Sequence, residues 1–331
     1  MHDITSQSIV SPPLAGQDSF VLGITKPDAS NTGAGVVRAY PTTVINGNIT
    51  LTAGQSLLDT IVHGKVICNG DNILIENCVV DGGSAMTSPA HVITTANSGT
   101  STATRVKIRF TTVYTASPSI WSTGIGSKNY LAYRCDVYDT VDCFSSFNTA
   151  GIGLPVNVSI QGCYGHNMSA YQSGVSYQAS DNTHNDVIQL QGGDGCEMIG
   201  NNFVANYSTV AGQGPQIGGD EWTSPNGLNS MAAIMINTNG AAGGPNTNMI
   251  VRDNWLDAGV YCVNGGGGQE GSGDFKRNRF GRHMTGAPNY YTLTFDATYT
   301  ASCHEGTADA NVYEAVGDAL DNTEVIVRRN Y

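Results

Sequence analysis

Apolar and polar positions recur along this chain in a short motif, apolar-x-apolar-x-x-(Cys, Asn or Thr)-x-apolar, which occurs seven times. The first copy is Ile73-Leu74-Ile75-Glu76-Asn77-Cys78-Val79-Val80, and later copies begin at Val106, Tyr130, Val158, Cys196, Met249 and Gly273. Position six therefore holds Cys78, Thr111, Cys135, Cys163, Asn201, Asn254 and Asn278. Successive copies lie 33, 24, 28, 38, 53 and 24 residues apart. Apolar residues in period-two alternation, giving way to a small polar one, describe a short strand entering a tight corner. The shortest interval suits one turn of a parallel β-solenoid, and the longer ones suit a turn plus an inserted loop. Stacked corners align like side chains, so an Asn amide at position six can bond the backbone of the next turn. The pattern predicts an all-β fold, a right-handed parallel β-helix.

A second strand precedes most copies, as in Gly124-Ile125-Gly126, Val187-Ile188-Gln189-Leu190 and Ala233-Ile234-Met235-Ile236. Residues 1–42, with Pro12-Pro13, Pro27 and Gly33-Ala34-Gly35, show little alternation and read as a lead-in and N-terminal cap. Solenoid ends need covering, because an open end exposes unpaired strand edges. Residues 43–280 form the β-helix. After Phe280 the motif is lost, so 281–331 reads as a closing turn and C-terminal cap. Two long excursions, Tyr164–Asn185 and Val204–Ser230, leave after successive copies and should emerge on one side, flanking His184 and Asp186.

Composition narrows the class of ligand. Only 13% of the 331 residues are charged, the net charge is −12, and the fifteen Lys and Arg are scattered. Nucleic acid and anionic membranes both need a basic footprint, so neither is an expected partner. No apolar run is long enough to span a bilayer, and Met1 to Leu14 lack the pattern of a signal peptide. A surface rich in Asn, Ser, Thr, Gln and Gly suits contact with sugars. The eight cysteines show no zinc-type spacing and read mostly as buried thiols acting as small hydrophobes.

The densest polar constellation is Thr183-His184-Asn185-Asp186-Val187-Ile188-Gln189-Leu190-Gln191-Gly192-Gly193. His184 and Asp186 serve either to pin a corner by a mutual hydrogen bond or as an acid/base or sugar-binding pair. A second constellation is Gly218-Gly219-Asp220-Glu221-Trp222 in the later excursion. There an indole would stack on a sugar face beside carboxylates that protonate or attack, unless the loop is simply solvated. Tyr171, Tyr177 and His166 belong to the earlier excursion and are candidate sugar contacts, with Gln189 and Gln191 beside them. A lyase needs a cation or Arg against a uronate carboxylate, yet no Lys or Arg occurs between Arg134 and Arg252. Oxygen donors for Ca²⁺ exist (Asp186, Asp194, Glu197, Asp220, Glu221) but form no dense Asp-x-Asp loop. The expectation is therefore no metal and no cofactor, with Ca²⁺ the one ion such donors would suit.

The run His184-x-Asp186-x-x-Gln189, followed by Gly192-Gly193 and Asn201-Asn202-Phe203, resembles a segment of right-handed β-helix proteins of the pectate-lyase-like superfamily. The stretch from Ile24-Thr25-Lys26-Pro27 to Val62-x-Gly64-x-Val66 and Asp71-Asn72-Ile73-Leu74-Ile75 resembles tail and surface proteins of actinobacteria and their phages. Val187 stands where the superfamily segment usually has Gly. The resemblance implies a polysaccharide-facing β-helix, extracellular or on a virion tail, and, as such spikes commonly are, a homotrimer. On this reading a cell-envelope polysaccharide is the substrate of a tailspike-type glycoside hydrolase. Asp186, Asp220, Glu221 and His184 would be its acid/base set, and Trp222 and the nearby tyrosines would hold sugar. A non-catalytic glycan-binding module and a polysaccharide lyase are the alternatives.

Overall fold

The computed structural model describes residues 25–83, 90–95, 105–117, 119–147, 157–169, 185–206, 231–237, 246–259, 261–264, 271–281, 289–290, 310–314 and 320–324. These residues form an all-β parallel solenoid with three sheets, of eleven, nine and nine strands. Each coil runs through an entry sheet, a middle sheet and a closing sheet, as in Val106–Arg109, Thr112–Val113 and Ser122–Gly126. Pairing between coils is parallel and in register with the sequence repeat. Ile73 lies against Val106, Val106 against Tyr130, and Tyr130 against Val158. The described helix content is nil, so no helix is long and apolar enough to cross a membrane.

The repeat explains the core. Positions one and three, such as Ile73 and Ile75, Val106 and Ile108, or Val158 and Ile160, are buried in one apolar cluster that extends from Leu51 to Phe280. Where position one is glycine, at Gly273, an added Cβ would stand 2.8 Å from Cβ of Met249, which fills that space from the previous coil. Position five takes the left-handed conformation in all seven copies, with φ between 46° and 65° at Asn77, Phe110, Arg134, Gly162, Gly200, Asp253 and Arg277. That turn swings the chain from the entry sheet to the middle sheet. Only two of the seven are glycine, so the others bear a steric cost of about 1–2 kcal/mol each.

Position six faces inward and builds the expected ladder. Asn254 Oδ1 accepts from the Asn201 amide at 3.0 Å and from Asn201 Nδ2 at 2.9 Å. Its Nδ2 donates to Asn278 Oδ1 and to the Met198 carbonyl, both at 2.9 Å. Asn278 repeats the arrangement with Asn311, 33 residues on, which makes an eighth rung. The motif therefore does not end at Phe280. Arg279–Phe280 pairs in parallel with Val312–Tyr313, and only then does an antiparallel strand, Leu320–Glu324, close the middle sheet. Three of the four earlier rungs are thiols and the other is Thr111, and the seven described cysteines are all free and buried.

The described part of the lead-in, residues 25–40, runs lengthwise along the corner between entry and middle sheets. Asn202 donates to the Pro27 carbonyl and Arg134 to the Asn31 carbonyl. Asn77 then accepts from the Gly35 amide and donates to the Ala39 carbonyl. Val36 and Val37 pack on Phe110, Leu131 and Tyr133. The strap thus binds the side chains that the left-handed corners push outward, which offsets part of their backbone strain.

Candidate functional site

Along the middle sheet, repeat position eight points into the core, as Val80, Val113 and Val137 do. Positions seven and nine flank it and point outward. Position nine is Asp81, Tyr114, Tyr138 and His166 on four successive coils, preceded by His63. His63 Nδ1 contacts Asp81 Oδ2. The Tyr114 and Tyr138 rings stack within 2° of parallel, with centroids 5.2 Å apart, close to the strand spacing. Tyr138 leans on His166 at 5.3 Å, and Tyr164, at position seven of the same coil, stacks on His166 at 3.8 Å. Asp136 Oδ1 lies 2.9 Å from His166 Nε2, so Nε2–H donates to the carboxylate.

This column is a continuous strip of ring edges and hydroxyls beside carboxylates. Burial, reinforced by the charge on Asp136, raises the Tyr138 phenol and pushes Tyr164 up to about 12. Tyr114 is raised by burial and by Asp81. All three phenols are neutral at physiological pH and keep a proton to donate. Of the residues singled out from sequence, His166 belongs to this strip. Tyr114, Tyr138 and Asp136 were missed, although their place at repeat positions seven and nine was a usable signal.

Gln189 and Gln191 lie half-buried on the closing-sheet strand Asn185–Gln191. Alternation along that strand fails at its start, since Val187 and Ile188 both enter the core. Asp186, just before this break, is completely buried. Its amide donates to Asp142 Oδ1 at 3.0 Å, and its own Oδ1 accepts from the Ala232 amide at 3.2 Å. Asp186 is thus a rung in a second, carboxylate ladder. His184, Asp220, Glu221, Trp222, Tyr171 and Tyr177 lie outside the described residues.

The closing sheet carries one further polar pair. His91 Nε2 and Ser145 Oγ are 2.9 Å apart across the intervening coil, and Tyr130 donates to the Ser145 carbonyl at 3.0 Å. Burial holds the His91 imidazole neutral, with its pKa pushed down to about 4. The pair crosses the closing sheet directly over Gly126, where any Cβ would fall on the imidazole and on Ser145 Oγ. Gly126→Ala is therefore expected to break this hydrogen bond and cost about 1–3 kcal/mol. A shift in the His91 imidazole resonances together with a lowered urea midpoint would register both effects.

Among the described residues no three His, Cys, Asp or Glu side chains gather as a conventional metal site. Comparison of the chain with family models, with curated proteins and with solved structures finds no match.

Proposed function

We propose that this solenoid binds a neutral or weakly charged polysaccharide along the outer face of its middle sheet. The observation that carries the reading is the register of Tyr114, Tyr138 and His166, one per coil, with Tyr164 and Asp136 beside them. A glycan is itself a repeating polymer, and a repeating strip can meet successive sugars with equivalent groups. Phenol hydroxyls donate, and the partly exposed rings of Tyr114, Tyr138 and Tyr164 cover the apolar C–H patches of a sugar at little entropic cost, with His166 and Asp136 buried beside them. The low charge and net −12 disfavour a strongly anionic partner.

Hydrolysis of the bound glycan is the second reading. Asp142 and Asp186, two carboxyl groups linked through the Asp186 amide, are buried on the closing sheet, so the acid/base pair of that reading would be Asp220 and Glu221. Gln189 and Gln191 follow Asp186 on its strand.

Affinity electrophoresis and calorimetry against a panel of neutral and uronate-containing polysaccharides test both. Tyr138→Ala should weaken binding of the best ligand at least about tenfold, equivalent to roughly 1.4 kcal/mol. Loss on Gln189→Ala with none on Tyr138→Ala would move the site to the closing sheet and overturn the proposal. Products that have gained water, abolished by Glu221→Gln, would establish the hydrolase.

A further inference from the structure

Buried polar atoms are ordinarily hydrogen-bonded, so each exception calls for a partner. Among the described residues eight buried side-chain nitrogen or oxygen atoms have none, and four of them belong to residues that hydrogen bonds tie together at one corner. These are Thr140 Oγ1, which faces the Cys143 thiol, Ser169 Oγ, Asn185 Oδ1 and Asp186 Oδ2, all on residues with no exposed surface. Three segments are stitched together there. The Ser169 amide donates to the Thr140 carbonyl at 2.8 Å. Asn185 Nδ2 donates to the Val141 carbonyl at 3.0 Å and to the Ser169 carbonyl at 2.6 Å. The Asp186 amide reaches Asp142 Oδ1 at 3.0 Å.

The orientation of Asn185 is fixed by this arrangement. Rotating its amide would set Oδ1 against two carbonyls, so Oδ1 is an acceptor in need of a donor or a cation. The orphans are all oxygens, a donor set that suits hard ions and excludes soft ones. Asp142 and Asp186 bring two buried carboxyl groups to neighbouring coils, joined through the Asp186 amide. The protein offers no nearby compensation in its sequence, since Lys and Arg are absent from Cys135 to Val251. A water molecule would satisfy the orphans without relieving the paired charge. A divalent cation does both.

We infer that this corner, formed by Thr140, Ser169, Asn185 and Asp186 with Asp142, is a structural binding site for one Ca²⁺-type cation. The inference does not rest on glycan binding, whose strip lies on the middle sheet. It bears on hydrolysis, because an Asp186 committed to a cation is withdrawn from acid chemistry.

The test is metal analysis of the full chain after dialysis against chelator and then Ca²⁺ at pH 8, with thermal melts in both conditions. The expected result is one Ca²⁺ per chain and a melting temperature at least about 5 °C higher with Ca²⁺. Asp142→Asn keeps an acceptor for the Asp186 amide but removes a charge, and should weaken Ca²⁺ binding at least about tenfold. Ser169→Ala should weaken it as well, while the surface change Asp194→Asn should leave it unaltered. Absence of bound Ca²⁺ with identical melts in chelator and Ca²⁺ would overturn the inference and leave the corner to water. Loss of the bound ion in Asp194→Asn alone would do so too, by placing the ion elsewhere. Both wild-type readouts stand whether or not a variant folds.

Discussion

Asn254→Ala is expected to lower the stability of the solenoid by about 3–5 kcal/mol, read as a fall in urea midpoint at unchanged slope. The side chain is completely buried and engaged at both ends. Removing Oδ1 strands the Asn201 amide and takes one of two partners from Asn201 Nδ2, and removing Nδ2 strands the Met198 carbonyl. Each stranded group costs about 1–3 kcal/mol, since no water reaches it. Cys135→Ala, at the same repeat position, removes only weak sulfur contacts, such as that to the Ile108 carbonyl at 3.4 Å. Its cost should be about 1 kcal/mol, chiefly from the small cavity. Contacts in a solenoid are mostly between neighbouring coils, so the damage should also be local. Faster amide exchange should centre on Asn201 and Asn254 rather than on the coils near Val62. Equal losses at Asn254 and Cys135 would mean that the ladder fills space without contributing hydrogen bonds.

The fold was legible because three of its constraints repeat with a recognisable spacing. Positions one and three are apolar for the core, and position six is small and polar for the corner. Insertions change the interval between copies without changing the motif, so copies 53 residues apart still align as Asn201 and Asn254 do. The eighth rung escaped notice because the sequence before it does not match the motif: the positions equivalent to one and three are Gly306 and Ala308. Asn311 is identified only by its bonds to Asn278. The lead-in was legible as irregular but not as a strap, since its contacts run to residues far along the chain. Arg134 and Asn31, for example, are 103 positions apart.

The candidate site was legible only in part, for a different reason. Outward positions of a strand carry no packing constraint, so nothing in the local pattern separates Tyr114 and Tyr138 from ordinary surface residues. Only stacking the copies in register reveals the column. Asp186 attracted attention through its neighbours His184, Gln189 and Gln191, but strand parity fails at Val187–Ile188, so alternation could not fix its surroundings. Its burial follows from the corner and from Asp142, which lies 44 residues earlier in sequence and one coil away in space.

Stability in chelator is expected to depend on pH through two opposed titrations, separable by single substitutions. Burial raises the folded-state pKa of Asp142 from 3.8 to about 7, and Asp186 shifts in the same direction. A raised carboxyl pKa means that the folded state holds its proton longer. This contribution is complete below about pH 4 and is lost as pH rises toward 7. His91 acts the other way. Its pKa falls from 6.5 to about 4 on folding, so its contribution is complete above pH 6.5 and is lost as pH falls toward 4. At about 1.4 kcal/mol per unit, Asp142 alone is worth at most roughly 4 kcal/mol, and His91, whose ring keeps some solvent contact, less. The wild-type curve should therefore fall with rising pH between pH 4 and 6.5, because two carboxyl groups oppose one imidazole. His91→Gln should steepen that decline, and Asp142→Asn should flatten it. Urea midpoints for the three proteins from pH 4 to 8 decide the matter, and three parallel curves would show that neither group changes its protonation on folding.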